Sequence, residues 1–156
     1  MTEATAAAQA LIDRSRYMTI ATADADGRPW VSPVWFAHDN YAEFLWVSRP
    51  DARHSLNIEA RRCVALVVFD SRAAPQDAQA VYIEAEVEEA DAETLDRAVG
   101  VYSDKSVGSG LSAWSAADVS GAAPRRLYRA RVVASFVLAA NDRRAPVSLS
   151  TDDEQE

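Results

Sequence analysis

Apolar and polar residues alternate along several short segments of this chain, and that alternation predicts a mostly β protein. The clearest case is 80–89, where the apolar positions point to one side and the glutamates to the other. Segment 63–69 is almost wholly apolar, which predicts a strand buried on both faces.

The remaining segments complete a pattern of short strands with few helices. Asp51 is a plausible N-cap for one of those helices, because a carboxylate can accept hydrogen bonds from first-turn amides. The order of elements, β-β-β-α-β-β-α-β, predicts a β barrel with peripheral helices rather than βαβ units. Further strands are predicted over 16–22, 29–37, 44–48 and 126–138, helices over 2–16, 51–60 and 91–102, and loops over 71–78 and 103–124.

The chain has 156 residues, which predicts a single domain over 1–156. Within it we expect an N-terminal helix at 1–15 and a flexible acidic tail at 140–156. The net charge of −8 disfavours a nucleic-acid partner, which would require a basic face. Neither a basic leader followed by an apolar block nor an apolar run long enough to span a bilayer is visible, so we expect a cytoplasmic protein with no membrane partner.

Most familiar catalytic and metal-binding patterns are missing from the sequence. Glycine-rich nucleotide-binding loops, a nucleophile elbow and the HExxH motif are all absent. His38, His54 and Cys63 are too few soft ligands to predict a metal site. Cys63 lies in the predicted core strand, where a thiol is usually inert. No catalytic residue can be nominated.

A cluster of polar and basic residues marks the junction between a strand and the following helix. Ser48, Arg49, Arg53, His54 and Ser55 all fall there. Helix N-termini present unpaired amides, and arginines bind oxyanions well, so this junction is a candidate phosphate site. The alternative is a capped, charged helix on the surface.

Aromatic residues form a second feature next to that junction. Trp30 and Trp35 enclose a strand that contains Pro33, and a proline inside a strand belongs at a sheet edge or beside a ligand. Such residues could line a flat heterocycle. The alternative is that the tryptophans pack in the core or between subunits.

Taken in order, these segments resemble the flavin-binding split barrels related to pyridoxamine 5'-phosphate oxidase. The resemblance rests on the runs 27–35, 45–48, 53–58 and 64–69. It implies an FMN cofactor bound at the interface of a homodimer, together with a small-molecule substrate. By this resemblance the flavin ring contacts Ser32, Pro33, Val34 and Trp35, and the phosphate contacts Ser48, Arg53 and His54. Three neighbouring residues are further candidates for binding the cofactor, namely Trp46, Val47 and Arg49.

Three positions depart from the pattern of the family. His54 replaces the lysine that opens the helix, and Ala80, beside Gln79, replaces a glutamine that contacts the flavin. Tyr128 replaces the histidine of a substrate-binding run that starts at Arg126. Oxidation of pyridoxamine phosphate itself is therefore not predicted.

Three functions remain open from the sequence. The first is an FMN-dependent oxidoreductase or flavin reductase, in which the cofactor carries the redox chemistry. The second is a reductase that uses a deazaflavin coenzyme, whose longer anionic tail could contact Arg49, Arg53, Arg61 and Arg62. The third is a non-catalytic protein that binds a flavin or another small ligand.

Overall fold

The computed structural model describes residues 1–150, which form a curled antiparallel sheet and three α-helices. This architecture confirms the prediction of a mainly β split barrel with helices at its periphery. In chain order the elements are α1 (Glu3–Arg14), β1 (Tyr17–Ala23), β2 (Pro29–Trp35), β3 (Ala37–Asp39), β4 (Glu43–Ser48), α2 (Arg53–Ala60), β5 (Cys63–Phe69), β6 (Ala80–Glu89), α3 (Leu95–Gly108), β7 (Arg126–Leu138) and β8 (Arg144–Pro146), with short 3-10 turns at Pro75–Asp77 and Ala116–Val119.

The strands follow the order β2-β1-β5-β6-β7-β4-β3, and β8 pairs with the far end of β7. All neighbouring pairs are antiparallel. The long strand β7 pairs with β6 along one side and with β4 and then β8 along the other. A register shift between Glu84 and Ala85 interrupts the pairing of β6 with β7. Such a bulge increases the local twist and helps the sheet to curl.

Apolar side chains pack on both surfaces of this curled sheet. The larger core lies on the inner surface and includes Ile20, Phe44 and Trp46, with contributions from α1 and α2. The smaller core lies on the opposite surface, where Leu45 and Leu127 pack beneath α3. Because side chains alternate along a strand, β4 and β7 supply residues to both cores.

A single carboxylate organises the turn between β1 and β2. The Asp24 carboxylate accepts hydrogen bonds from the amides of Asp26 and Arg28, each at 2.9 Å. Gly27 has φ of +83°, a backbone conformation that favours glycine. The turn holds β1 and β2 in a fixed register that pairs Ile20 with Ser32.

The prediction that segment 63–69 is buried on both faces is wrong for the single chain. Val64, Leu66 and Val68 are buried, whereas Cys63 and Phe69 on the other face are exposed. No helix within residues 1–150 covers the outer face of β5, so its apolar side chains meet solvent. Cys63 is therefore a surface thiol and not a core residue.

Several boundaries differ from the sequence prediction: the predicted strand 29–37 is divided into β2 and β3, and α3 begins at Leu95 and not at 91. Helix α3 continues to Gly108, so the predicted loop 103–124 begins six residues later than expected. The predicted flexible tail is partly built into the fold: Leu149 is 2% exposed, and its carbonyl accepts a hydrogen bond from Gln9 at 2.8 Å. Only 151–156 of that tail lies outside the described residues.

Candidate functional site

The start of α2 has no side-chain cap, contrary to the prediction for Asp51. The N-cap residue is Ala52, and no side chain accepts a hydrogen bond from the first turn. The Asp51 carboxylate binds Arg49 instead, at 3.0 Å, with both side chains exposed. The first amides of α2 therefore remain available to an anion, and the positive end of the helix dipole favours one there.

Ser48 and His54 come together at this helix start, as the sequence suggested. Ser48 ends β4, and its Oγ lies 2.8 Å from Nε2 of His54. His54 is half-buried, and burial lowers its pKa below the usual value. The imidazole is therefore mainly neutral at pH 7 and gains a full charge only in more acidic solution or beside an anion.

Arg53 lies against Trp30 on β2. Its Cζ atom is 4.1 Å from the centroid of the indole ring, a cation–π distance. Within residues 1–150 the Arg53 guanidinium forms no ion pair, and the side chain is exposed. The helix start thus combines a free arginine, a flat aromatic ring and the Ser48–His54 pair.

A buried polar network fixes α2 against the hairpin below it. Asn57 donates a hydrogen bond to Oγ1 of Thr22 at 3.0 Å, and that hydroxyl donates to the Trp30 carbonyl at 3.3 Å. Asn57 and Thr22 are both about 95% buried. Neither residue was predicted from the sequence to have a role. The available signal was that Asn57 lies on the same face of α2 as Arg53, four residues earlier.

The strand β2 places its predicted flavin contacts on two faces. Ser32 and Val34 are buried on the inner face, which they share with Trp30. Pro33 is exposed on the outer face, and Trp35 packs edge-on against Tyr102 at 5.2 Å. Within residues 1–150 β2 ends the sheet, so the backbone groups along its free side have no strand partner.

Three other candidates from the sequence do not join the group at the helix start. Trp46 is fully buried and stacks on Tyr128 at 5.8 Å, so its side chain belongs to the core and does not reach a surface ligand. Val47 is half-buried against the smaller core. Arg49 is held by Asp51 and does not join the Ser48–His54 pair.

Lys105 on α3 lies beside the outer end of β2, and the sequence did not indicate this position near the candidate site. Its Nζ is 4.6 Å from the ring of Phe36 and 5.8 Å from that of Trp35. Burial lowers the pKa of this ammonium group. An ammonium group above aromatic rings adds positive charge near Trp35.

The outer surface of β2, β1 and β5 is an exposed apolar face. Val31 is 58% exposed, Tyr17 60% and Phe69 49%. The register of the three strands brings their outward side chains side by side. Contiguous apolar faces of this kind usually mark an interaction surface.

The sequence profile of the pyridoxamine 5'-phosphate oxidase family matches residues 4–138, which is most of the chain. The chain belongs to the pyridoxamine 5'-phosphate oxidase family. Among curated protein sequences no match was found. The family assignment confirms the resemblance seen in the sequence, and it covers all three elements that build the helix-start site.

Solved structures share the fold of this family member at low sequence identity. A heme binding protein from Mycobacterium smegmatis superposes with a TM-score of 0.75 at 15% identity, over 95% of this chain and 59% of that one. An F420 reductase gives 0.60 at 23% identity, over 82% and 94%. The heme storage protein HutZ from Vibrio cholerae gives 0.62 at 21% identity, over 80% and 86%. Identities this low establish the fold alone.

Residues 1–150 contain no group of three or more metal-ligating side chains arranged for a metal ion. Both ring nitrogens of His38 already have partners, namely Asp13 at 3.0 Å and the Tyr41 amide at 3.2 Å. Over the same residues no helix is long and apolar enough to cross a membrane.

Proposed function

We propose that this protein binds FMN and is a flavin-dependent oxidoreductase or flavin reductase acting on a small molecule. The observation that carries the proposal is the uncapped start of α2. There Arg53 and the Ser48–His54 pair surround amides that have no side-chain acceptor. A phosphate fits this set of donors, because each of its oxygens can accept from an amide, a hydroxyl or a guanidinium.

The ring of the cofactor fits the neighbouring strand. The indole of Trp30 lies next to Arg53, and the free edge of β2 offers backbone donors and acceptors along 32–35. In this proposal Ser32, Pro33, Val34 and Trp35 contribute mainly through their backbone. The Thr22–Asn57 network keeps this strand and the helix at a constant distance.

A second copy of the chain completes the site in this proposal. The apolar face over β2, β1 and β5 adjoins the strand that would hold the ring, and it includes Val31 and Phe69. Burying that face against an identical copy would remove apolar surface from water and exclude solvent from the flavin. A homodimer with the flavin at its interface, in a cytoplasmic location, therefore remains part of the proposal.

Bound flavin would supply the redox chemistry, while the protein binds, orients and shields it. No side chain of the helix-start site is nominated as catalytic. The substrate differs from pyridoxamine phosphate in this proposal, because Tyr128 is buried against Trp46 and Arg126 is held by Glu89 at 3.3 Å.

Two alternatives use the same site. A deazaflavin coenzyme would need further cations for its longer tail, yet Arg61 donates to the Ala25 carbonyl and Arg62 pairs with Glu88. A non-catalytic ligand-binding protein would share the phosphate contacts without turnover. The absorption spectrum separates FMN from a deazaflavin, and reduction of bound flavin by a nicotinamide donor separates an enzyme from a carrier.

The site is tested by Arg53→Ala, with Arg143→Ala as a control for lost charge at an exposed, remote position. Losing one charged hydrogen bond should weaken FMN binding by roughly 1.5 to 3 kcal/mol, while the control should bind as the wild type does. The measurement is a fluorescence titration of FMN. Equal affinities for wild type and Arg53→Ala would remove this residue from the site.

A further inference from the structure

The face of α2 that points away from the β1–β2 hairpin borders a cavity that the proposed flavin site does not use. We propose that this cavity binds a small organic cation, namely an ammonium or guanidinium group attached to an apolar body. The cavity has a volume of about 550 Å³ and lies between α2, β6 and β7. That volume falls within the range of small-molecule sites and exceeds the space of a single water molecule.

The position on the helix separates this cavity from the flavin site. Arg53 and Asn57 face the β1–β2 hairpin, whereas Ser55 and Glu59 line the cavity. Successive residues of an α-helix are rotated by about 100°, so Arg53 and Ser55 point in nearly opposite directions. One helix therefore presents two different sites.

An unpartnered hydroxyl lines the cavity. Ser55 is 4% exposed, and its Oγ has no hydrogen-bond partner within residues 1–150. The hydroxyl of Tyr128 approaches Ser55 without completing a hydrogen bond. Because a buried polar atom without a partner is costly, Ser55 is poised to bind a group that enters the cavity.

Charge at the cavity favours a cation. Glu59, Glu88 and Glu89 line it together with a single base, Arg62. Arg62 is occupied by Glu88, and Glu89 is paired with Arg126, whereas Glu59 forms no ion pair within the described residues. One carboxylate is therefore left to attract a positive group, and no base is left to attract an anion.

The walls of the cavity favour an apolar body on that cation. Val87 and the ring of Tyr128 line it. That ring stacks on Trp46 with an interplanar angle of 16°, which fixes its orientation. Burial raises the pKa of Tyr128, so its hydroxyl stays protonated at neutral pH. A flat aromatic wall next to a carboxylate suits an ammonium group joined to a hydrocarbon.

Isothermal titration of the wild-type protein with phenethylammonium tests the proposal, in the presence and absence of excess FMN. Phenethyl alcohol and phenylacetate provide neutral and anionic probes of similar shape. We expect saturable binding of one phenethylammonium per chain, unaffected by FMN, and no comparable binding of the other two probes. No saturable binding, equal binding of the alcohol, or displacement by FMN would overturn the proposal.

Two variants locate the binding. Glu59→Gln should weaken phenethylammonium binding by roughly tenfold, the scale of one charged hydrogen bond, whereas Glu93→Gln at an exposed remote site should not. Ser55→Ala should also weaken binding without lowering the melting temperature of the ligand-free protein, because it removes an unsatisfied hydroxyl. Equal affinities for Glu59→Gln and Glu93→Gln, or unchanged binding by a folded Ser55→Ala variant, would contradict the assignment.

Discussion

Replacing His54 by lysine tests the proposal that this chain binds a phosphate without the permanent charge that the family pattern places at this position. His54 is half-buried beside Ser48, and burial lowers its pKa, so the wild-type imidazole is mainly neutral at pH 7. Lysine restores a full charge at the same helix start. We therefore expect His54→Lys to bind FMN more tightly than the wild type at neutral pH.

The size of the gain follows from the surroundings of the side chain. A unit charge about 4 Å from another contributes roughly 1 kcal/mol in water and about 4 kcal/mol near a protein surface. The gain is reduced by loss of the hydrogen bond to Ser48, which is worth about 0.5 to 1.5 kcal/mol, and by partial burial of the new ammonium. A net gain of about 1 kcal/mol, or roughly fivefold in affinity, is expected at pH 7.5.

The wild type should show a pH dependence that the lysine variant lacks. A bound phosphate favours the protonated imidazole, so the affinity of the wild type for FMN should rise as the pH falls from 8 toward about 6.5. Calorimetry in buffers with different ionisation enthalpies should detect proton uptake by the wild type and none at residue 54 in His54→Lys or His54→Gln. A flat wild-type profile, or the same pH dependence for riboflavin, which lacks the phosphate, would refute the reasoning.

Three further predictions concern stability and assembly. Ligand-free protein should lose stability as the pH falls below about 6.5. The reason is that burial holds the pKa of His54 in the folded state below its unfolded value, so the unfolded chain binds the proton more readily. Thermal melts should show a smaller loss of stability for His54→Gln. Asn57→Ala should lower the unfolding free energy by about 1 to 3 kcal/mol, measured by urea denaturation, because Thr22 loses its buried partner; an unchanged denaturation midpoint would contradict the role given to this network. Phe69→Asp should produce a monomer in size-exclusion chromatography with light scattering while Glu93→Asp leaves a dimer, and a dimeric Phe69→Asp variant would place the interface elsewhere.

Much of the fold could be predicted because its signals are local. The alternation in 80–89 is a pattern of neighbouring residues, and the structure confirms the strand that it predicts. The three-residue strands β3 and β8 carry no such pattern and were not predicted. The burial of β5 was predicted wrongly because an apolar run in the sequence does not show which element, if any, covers each face of the strand. In the single chain Phe69 remains 49% exposed.

The helix-start site was only partly accessible from the sequence. The pairing of Ser48 with His54 followed from their closeness in the chain, but two arrangements depend on folding. Asp51 could cap the helix or bind Arg49, and only the structure shows the second arrangement. The Thr22–Asn57 bond joins residues 35 positions apart, which no local pattern indicates. Trp46 was a candidate for cofactor binding in the sequence, yet alternation along β4 directs its side chain into the core.

Binding of a phosphate-bearing flavin where α2 begins beside β2 is the proposal on which the others depend. The most direct measurement is a titration of the purified protein with FMN, followed by its visible absorption and fluorescence, with riboflavin as the matched ligand without a phosphate. We expect saturable binding of FMN, one per chain, with riboflavin bound much more weakly. A protein that remains colourless with FMN, or that binds both flavins equally, would contradict it.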